Sequence, residues 1–210
     1  MKRLIGELRF PAVGADQNMM RSMTKFSVHF TIAMIFLCPG WALAEVADSS
    51  TNGFTVKTSV TIQASPDEVY RRLVHNIGDW WNPQHTFSGD ARNLTIDEKP
   101  MGCFCETLPG QGGVRHMEVL RFVHGKTLVL SGAIGPLQPL AAAATMTIQL
   151  SPGDTGTAVN VTYSVSGYLA DGMNTWAAPV DSVVAEQFTR LKNFVEHGSP
   201  ALPLKTPPAK

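Results

Sequence analysis

Apolar side chains alternate at the start of the ordered-looking part of the chain. Phe54, Val56, Thr58, Val60 and Ile62 share one face of the stretch Phe54–Gln63, which reads as a half-buried strand. The period then changes. Ser65 can cap a helix, Pro66 suits its first position and Glu68 completes a capping box, while Val69, Leu73 and Ile77 form a stripe at four-residue steps that Gly78 ends. Residues 79–92 form an aromatic and polar loop region. Strand-like segments follow at Leu94–Asp97, Cys103–Leu108, Val114–Val123, Thr127–Ala133, Thr145–Leu150 and Ala158–Ser166. Turns such as Pro109-Gly110-Gln111-Gly112-Gly113 and His124-Gly125-Lys126 separate them, so neighbouring strands are expected to be antiparallel. Val180, Val184, Gln187, Phe188, Leu191 and Val195 then keep a helical spacing to about Glu196, with Glu186 and Arg190 as i,i+4 partners and Gly198 as the stop. The predicted architecture is α+β: a curved antiparallel sheet of about six to seven strands covered by one long C-terminal helix, with room for a cavity between them.

The two ends differ from this body. Phe26–Cys38 is mostly apolar, Arg21 and Lys25 precede it, and Ala42-Leu43-Ala44 follows with small residues at the positions a signal peptidase reads. Residues 1–44 therefore read as a signal peptide, and the protein as periplasmic or secreted. The apolar run is short for a membrane span, and Pro39-Gly40 ends it. Translation can start at Met1, Met19, Met20 or Met23. Residues 45–53 read as a flexible lead, 54–197 as one domain and 198–210, rich in proline, as a disordered tail.

Composition narrows the function classes. The chain has 210 residues, 44% of them hydrophobic and 16% charged, which suits a packed core. Residues 45–210 carry 12 basic and 15 acidic side chains, a mildly acidic body that excludes a phosphate-tracking nucleic-acid binder. Of the three cysteines, Cys103 and Cys105 lie beyond the leader. Two apart on a strand, they share a face. They read as small buried apolar residues, with a disulfide or a metal pair as alternatives. No nucleophile elbow, zinc-protease motif, phosphate loop or dinucleotide fingerprint is present, so no cofactor and no metal site is expected.

Several residues are candidates for chemistry. Trp80, Trp81, His85 and Phe87 crowd one loop, which suits a cavity mouth carrying one polar contact. His116 and Glu118 fall on one strand face and form a proton-handling pair if that face is inward. The same alternation allows Met117 and Val119 inward and leaves His116 and Glu118 in solvent. Glu106 and Arg115 share this ambiguity, Arg115 being a candidate anion contact. Gly132–Ala141 is either a buried connection or a gate. Tyr168 is a candidate ligand hydroxyl, and Tyr163 fits the core.

The stretch Val60-Thr61-Ile62-Gln63-Ala64-Ser65-Pro66-Asp67-Glu68-Val69-Tyr70, the turn Gly78-Asp79-Trp80-Trp81 and the closing Gln187-Phe188-Thr189-Arg190-Leu191-Lys192 together resemble the START-like superfamily, also called SRPBCC or birch-pollen-allergen-like. The resemblance covers roughly residues 54–197 and is nearest to polyketide-cyclase-like and heat-shock-ATPase-activator-like members. It implies a helix-grip fold that holds a hydrophobic ligand between sheet and helix. Three functions stay open: an exported monomer binding a small hydrophobic molecule or lipid, a cyclase- or hydrolase-type enzyme using His85 or His116 with a carboxylate, and a protein-interaction domain of the ATPase-activator type. Cleavage after Ala44 predicts that the exported form begins near Glu45. N-terminal sequencing checks this, and a product retaining residues 26–44 would identify an anchor instead.

Overall fold

Two strands at the start of the described region fold on each other. The computed structural model describes residues 43–201, with side chains from residue 45 onward. These residues fall in one compact unit. The signal-peptide run and residues 202–210 of the expected tail lie outside them. Strand β1 (Leu43–Ser50) pairs antiparallel with β2 (Gly53–Ile62), where the sequence had suggested a flexible lead over 45–53. The side chains of residues 45–50 are exposed, so no apolar pattern announced the strand. Backbone pairing and the turn hold it. The carbonyl of Asn52 accepts from Gly167 N at 3.0 Å and that of Thr51 from Met173 N at 2.9 Å.

Helix α1 (Pro66–His75) starts as its sequence predicts, with Glu68 N donating to Ser65 Oγ at 3.4 Å. The Glu68 carboxylate accepts from Arg71 and Arg72, so it works along the helix surface. Asn76 breaks the helix, and the single turn α2 (Ile77–Trp80) follows. Then come β3 (Leu94–Ile96), β4 (Cys103–Leu108), β5 (Gly112–Val123), β6 (Thr127–Ser131), β7 (Ala141–Gly153), β8 (Gly156–Tyr168) and the long helix α3 (Ala177–His197). One eight-stranded antiparallel sheet in the order β1-β2-β8-β7-β6-β5-β4-β3 curves over α3 without closing. This is the expected α+β architecture, with β1 as an eighth strand.

The core lies between the concave face and the helices. Val60, Ile62, Ile148, Val161, Leu128 and Val119 from the sheet join Leu73 of α1 and Val184, Phe188 and Leu191 of α3 in one buried cluster. Val195 is only partly buried, packed against its edge. Gly198 ends α3 at φ 72° in the left-handed region, where its N–H donates to Phe194 O at 2.9 Å.

β5 departs from strict alternation twice. Phe104 pairs with Met117 but Cys105 with Arg115, so His116 is an extra residue in the ladder. Val119 pairs with Leu130 but Arg121 with Val129, so Leu120 is a second one. The first bulge turns His116 and Met117 inward together, and the second leaves Leu120 and Arg121 outward together. Gly132 lies beside the first bulge at φ 145°, where a Cβ would come within 2.7 Å of the His116 carbonyl oxygen.

Leu191 is fully buried at the centre of the α3 contact. Leu191→Ala should cost about 2–5 kcal/mol in denaturant unfolding. A loss below about 0.5 kcal/mol would show that α3 does not hold the sheet.

Candidate active and binding site

The bulge decides which polar groups enter the interior. His116 and Glu106 both point in, from adjacent strands β5 and β4, and are 6% and 1% exposed. His116 Nε2 lies 2.9 Å from Glu106 Oε2. The same carboxylate accepts from Phe87 N at 3.0 Å and from Ser88 N at 2.5 Å. Burial alone pushes the Glu106 carboxyl up. The hydrogen bonds from Ser88, Phe87 and His116 outweigh it and hold the group below the usual carboxylate range. Burial pushes His116 down, against the opposing pull of Glu106. The pair at neutral pH is therefore an ionised Glu106 and a neutral His116. A carboxylate only accepts, so the ring hydrogen lies on Nε2 and Nδ1 carries a lone pair. The Phe87 and Phe104 rings flank the imidazole at centroid distances of 5.8 and 5.1 Å.

His116, with Glu106 behind it, forms part of the wall of a cavity of about 590 Å³ between the sheet and the start of α3. The remaining wall is mainly apolar: Trp81, Phe87, Phe104, Ile134, Leu137, Trp176, Val180 and Val183. Gln84, His85 and Thr86 add polar groups from the 3-10 turn at Pro83–His85 and its end. A wider depression of about 700 Å³ over β2, β7 and β8 is lined by Ser50, Thr55, Thr145, Ser164 and Ser166. Among the described residues it has no histidine and no aromatic residue other than Phe54 on its wall.

Side chains of α3 fix the loop at the rim. Glu186 accepts from Asn82 Nδ2 and lies 3.1 Å from His85 Nε2. Gln187 accepts from Asn82 N at 2.8 Å, and Arg190 Nε donates to Trp80 O at 2.9 Å. Trp81 Nε1 donates to His85 O at 3.1 Å, which turns the indole across the cavity. On the opposite wall, the buried Tyr163 hydroxyl accepts from Ile134 N at 3.1 Å and donates to Gly132 O at 3.3 Å. The Gly132–Ala141 connection is thus pinned where it meets the cavity.

The structure sorts the sequence candidates. Trp81, His85 and Phe87 line the cavity, and His116 joins them. Trp80 does not. It is 1% exposed in the core beside Phe188, and its Nε1 donates to Arg72 O. Glu118 is not the partner of His116. It lies on the outer face, 3.2 Å from Arg115 Nη1, because the bulge separates it from the inward face. Arg115 is therefore a surface residue and no anion contact of the cavity. Tyr168 is 77% exposed at the end of β8, outside the cavity. Cys103 and Cys105 are half-buried and bonded to each other, which is the disulfide alternative in place of two small buried apolar residues. No group of three metal-ligating side chains able to hold an ion occurs among the described residues.

Three site residues had escaped the sequence reading as such. Asn82 carries no motif, Gln187 reads only as part of the closing helix, and Glu186 reads as the i,i+4 partner of Arg190. Glu186 instead faces a loop about a hundred positions away, a pairing that no local spacing encodes.

No family model matches the chain, and no curated protein matches it. Solved structures do. A conserved protein of unknown function, EF2215 from Enterococcus faecalis, is 17% identical over 79% of this chain and 82% of its own, with a TM-score of 0.51. Protein SSP2350 from Staphylococcus saprophyticus is 13% identical over 70% and 96%, with a TM-score of 0.50. The likeness is one of fold. It places the chain among sheet-rich α+β proteins of this shape and says nothing of the cavity's occupant.

Glu106→Ala leaves the Phe87, Ser88 and His116 donors without their acceptor and should cost about 3–5 kcal/mol. Acid should act in the same direction. A lowered Glu106 stabilises the fold above the ordinary carboxylate range, and that stability is lost as pH falls through its folded pKa. A lowered His116 leaves the unfolded chain binding the extra proton, so stability also falls as pH drops below about 6.5. Urea midpoints measured between pH 7 and 5 should decline in the wild type. His116→Phe should flatten that decline, and an unchanged slope would show that His116 is not buried neutral.

Proposed function

We propose that the protein holds one small, mostly apolar molecule in the cavity between its sheet and α3. The observation that carries this reading is an aromatic-walled space of about 590 Å³ with His116, held by the buried Glu106, on its wall. Its size is within the range of small-molecule sites, and its few polar groups among apolar walls match their usual make-up. The leader-like residues 1–44 add that binding takes place after export, in the periplasm or outside the cell. Membership of the START-like superfamily is part of the proposal. The opening motif around Ser65 and the sheet curved over α3 support it. No helix among the described residues is long and apolar enough to cross a membrane.

A second reading, a proton-transfer enzyme, is favoured by the dyad itself. Glu106 orients His116 and stabilises the imidazolium that would form, while Nδ1 is left to act as base. A cavity that only shielded an apolar ligand needs no such pair.

Trp81 is the wall residue that separates cavity binding from other sites. Covering half of an indole's ~200 Å² with ligand is worth ~2–3 kcal/mol at ~25 cal/mol/Å². Trp81→Ala should therefore weaken binding of a neutral apolar dye, Nile red, by roughly 30-fold to 150-fold in a fluorescence titration. Trp80→Ala should lower stability through the core. Equal dye affinity in wild type and Trp81→Ala would place the binding site elsewhere.

A further inference from the structure

The state of the dyad selects the ligand. His116 Nε2 is held by Glu106, and among the described residues Nδ1 has no hydrogen-bond partner. Nδ1 is not sealed from solvent, and His116 is a wall residue of this cavity. An acceptor open to an otherwise apolar space asks for a donor. Among the described residues neither arginine nor lysine lines the cavity, while Glu106 stands behind His116 and Glu186 holds His85 at the rim. An anion entering would meet two carboxylates and no compensating cation. The neighbouring walls are flat and aromatic: Trp81, Phe87, Phe104 and Trp176.

From these features we infer that the cavity selects a neutral aromatic molecule bearing a hydroxyl, whose O–H donates to His116 Nδ1. The inference rests on the cavity-binding reading and names its ligand class. The acceptor state also predicts discrimination against close analogues. A methyl ether keeps the ring system but cannot donate, and it leaves Nδ1 unsatisfied. An aromatic carboxylate brings charge into a space that cannot neutralise it. A site built around one buried hydrogen bond rejects an analogue lacking it more strongly than a site built on apolar contact does, because a polar atom is then left unpaired.

The test uses the whole exported protein and four probes: 2-naphthol, 2-methoxynaphthalene, naphthalene and 2-naphthoate. Equilibrium dialysis at pH 7 measures each. The expected order is 2-naphthol tightest, by about tenfold over 2-methoxynaphthalene, a ratio equal to about 1.4 kcal/mol, with 2-naphthoate weakest. His116→Phe keeps a flat ring between Phe87 and Phe104 but removes the acceptor. It should bring 2-naphthol and 2-methoxynaphthalene to within about twofold of each other and leave naphthalene binding in place. Equal affinity for the alcohol and its ether in the wild type would leave the binding reading standing and overturn donor selection. Tighter binding of 2-naphthoate than of 2-naphthol would overturn the exclusion of anions. Failure of all four probes to bind would overturn the cavity-binding reading and this inference with it. The wild-type comparison alone decides donor selection, so the outcome does not depend on the variant folding.

Discussion

An ionised carboxylate with 1% exposure has to be compensated on nearly every side, and Glu106 is. Desolvating a charge costs several kcal/mol even after relaxation, so the residues that solvate Glu106 in place of water are constrained with it. Two are backbone N–H groups of the loop at Phe87 and Ser88, and one is His116 on the next strand. A single charge thereby fixes a loop, a ring and the join of β4 to β5. His116 stands on the otherwise apolar cavity wall as one of the partners of that charge. The Phe87 ring is brought over His116 by the same hydrogen bond that its own backbone makes.

α3 supplies the complementary constraint. Its apolar face fills the concave sheet through Val184, Phe188 and Leu191, and its polar residues Glu186, Gln187 and Arg190 hold the Trp80–His85 loop. Core packing and rim geometry are therefore set by one element. Adjacent tryptophans divide between the two tasks. Trp80 is buried under the loop as structural mass, and Trp81 turns outward across the cavity with its N–H anchored on His85 O.

Elements that depend on local periodicity were legible in the sequence. The strand Phe54–Gln63, the Ser65 cap and the stripe from Val180 to Leu191 all carry their period openly, and with the turns they give the sheet-and-helix order. β1 was illegible because its exposed side chains hold no alternation and its backbone pairing does the work. The site was half legible. Loop crowding pointed to Trp81, His85 and Phe87, whereas simple alternation paired His116 with Glu118. The true partner, Glu106, is across the strand boundary, and a period-two reading cannot detect an inserted residue. Glu186 was hidden for a different reason: its meeting with His85 exists only after α3 has docked.

The inserted residue in β5 has an evolutionary consequence. Pairing of β5 with β4 is regular on both sides of His116, and Met117 and Val119 keep their inward places without it. A deletion of one codon at this position would restore an unbroken ladder and remove the imidazole, leaving Glu106 with the Phe87 and Ser88 N–H groups. The polar chemistry of this cavity is thus heritable separately from the fold. An in-frame change at one strand position is enough to remove the acceptor from the cavity wall.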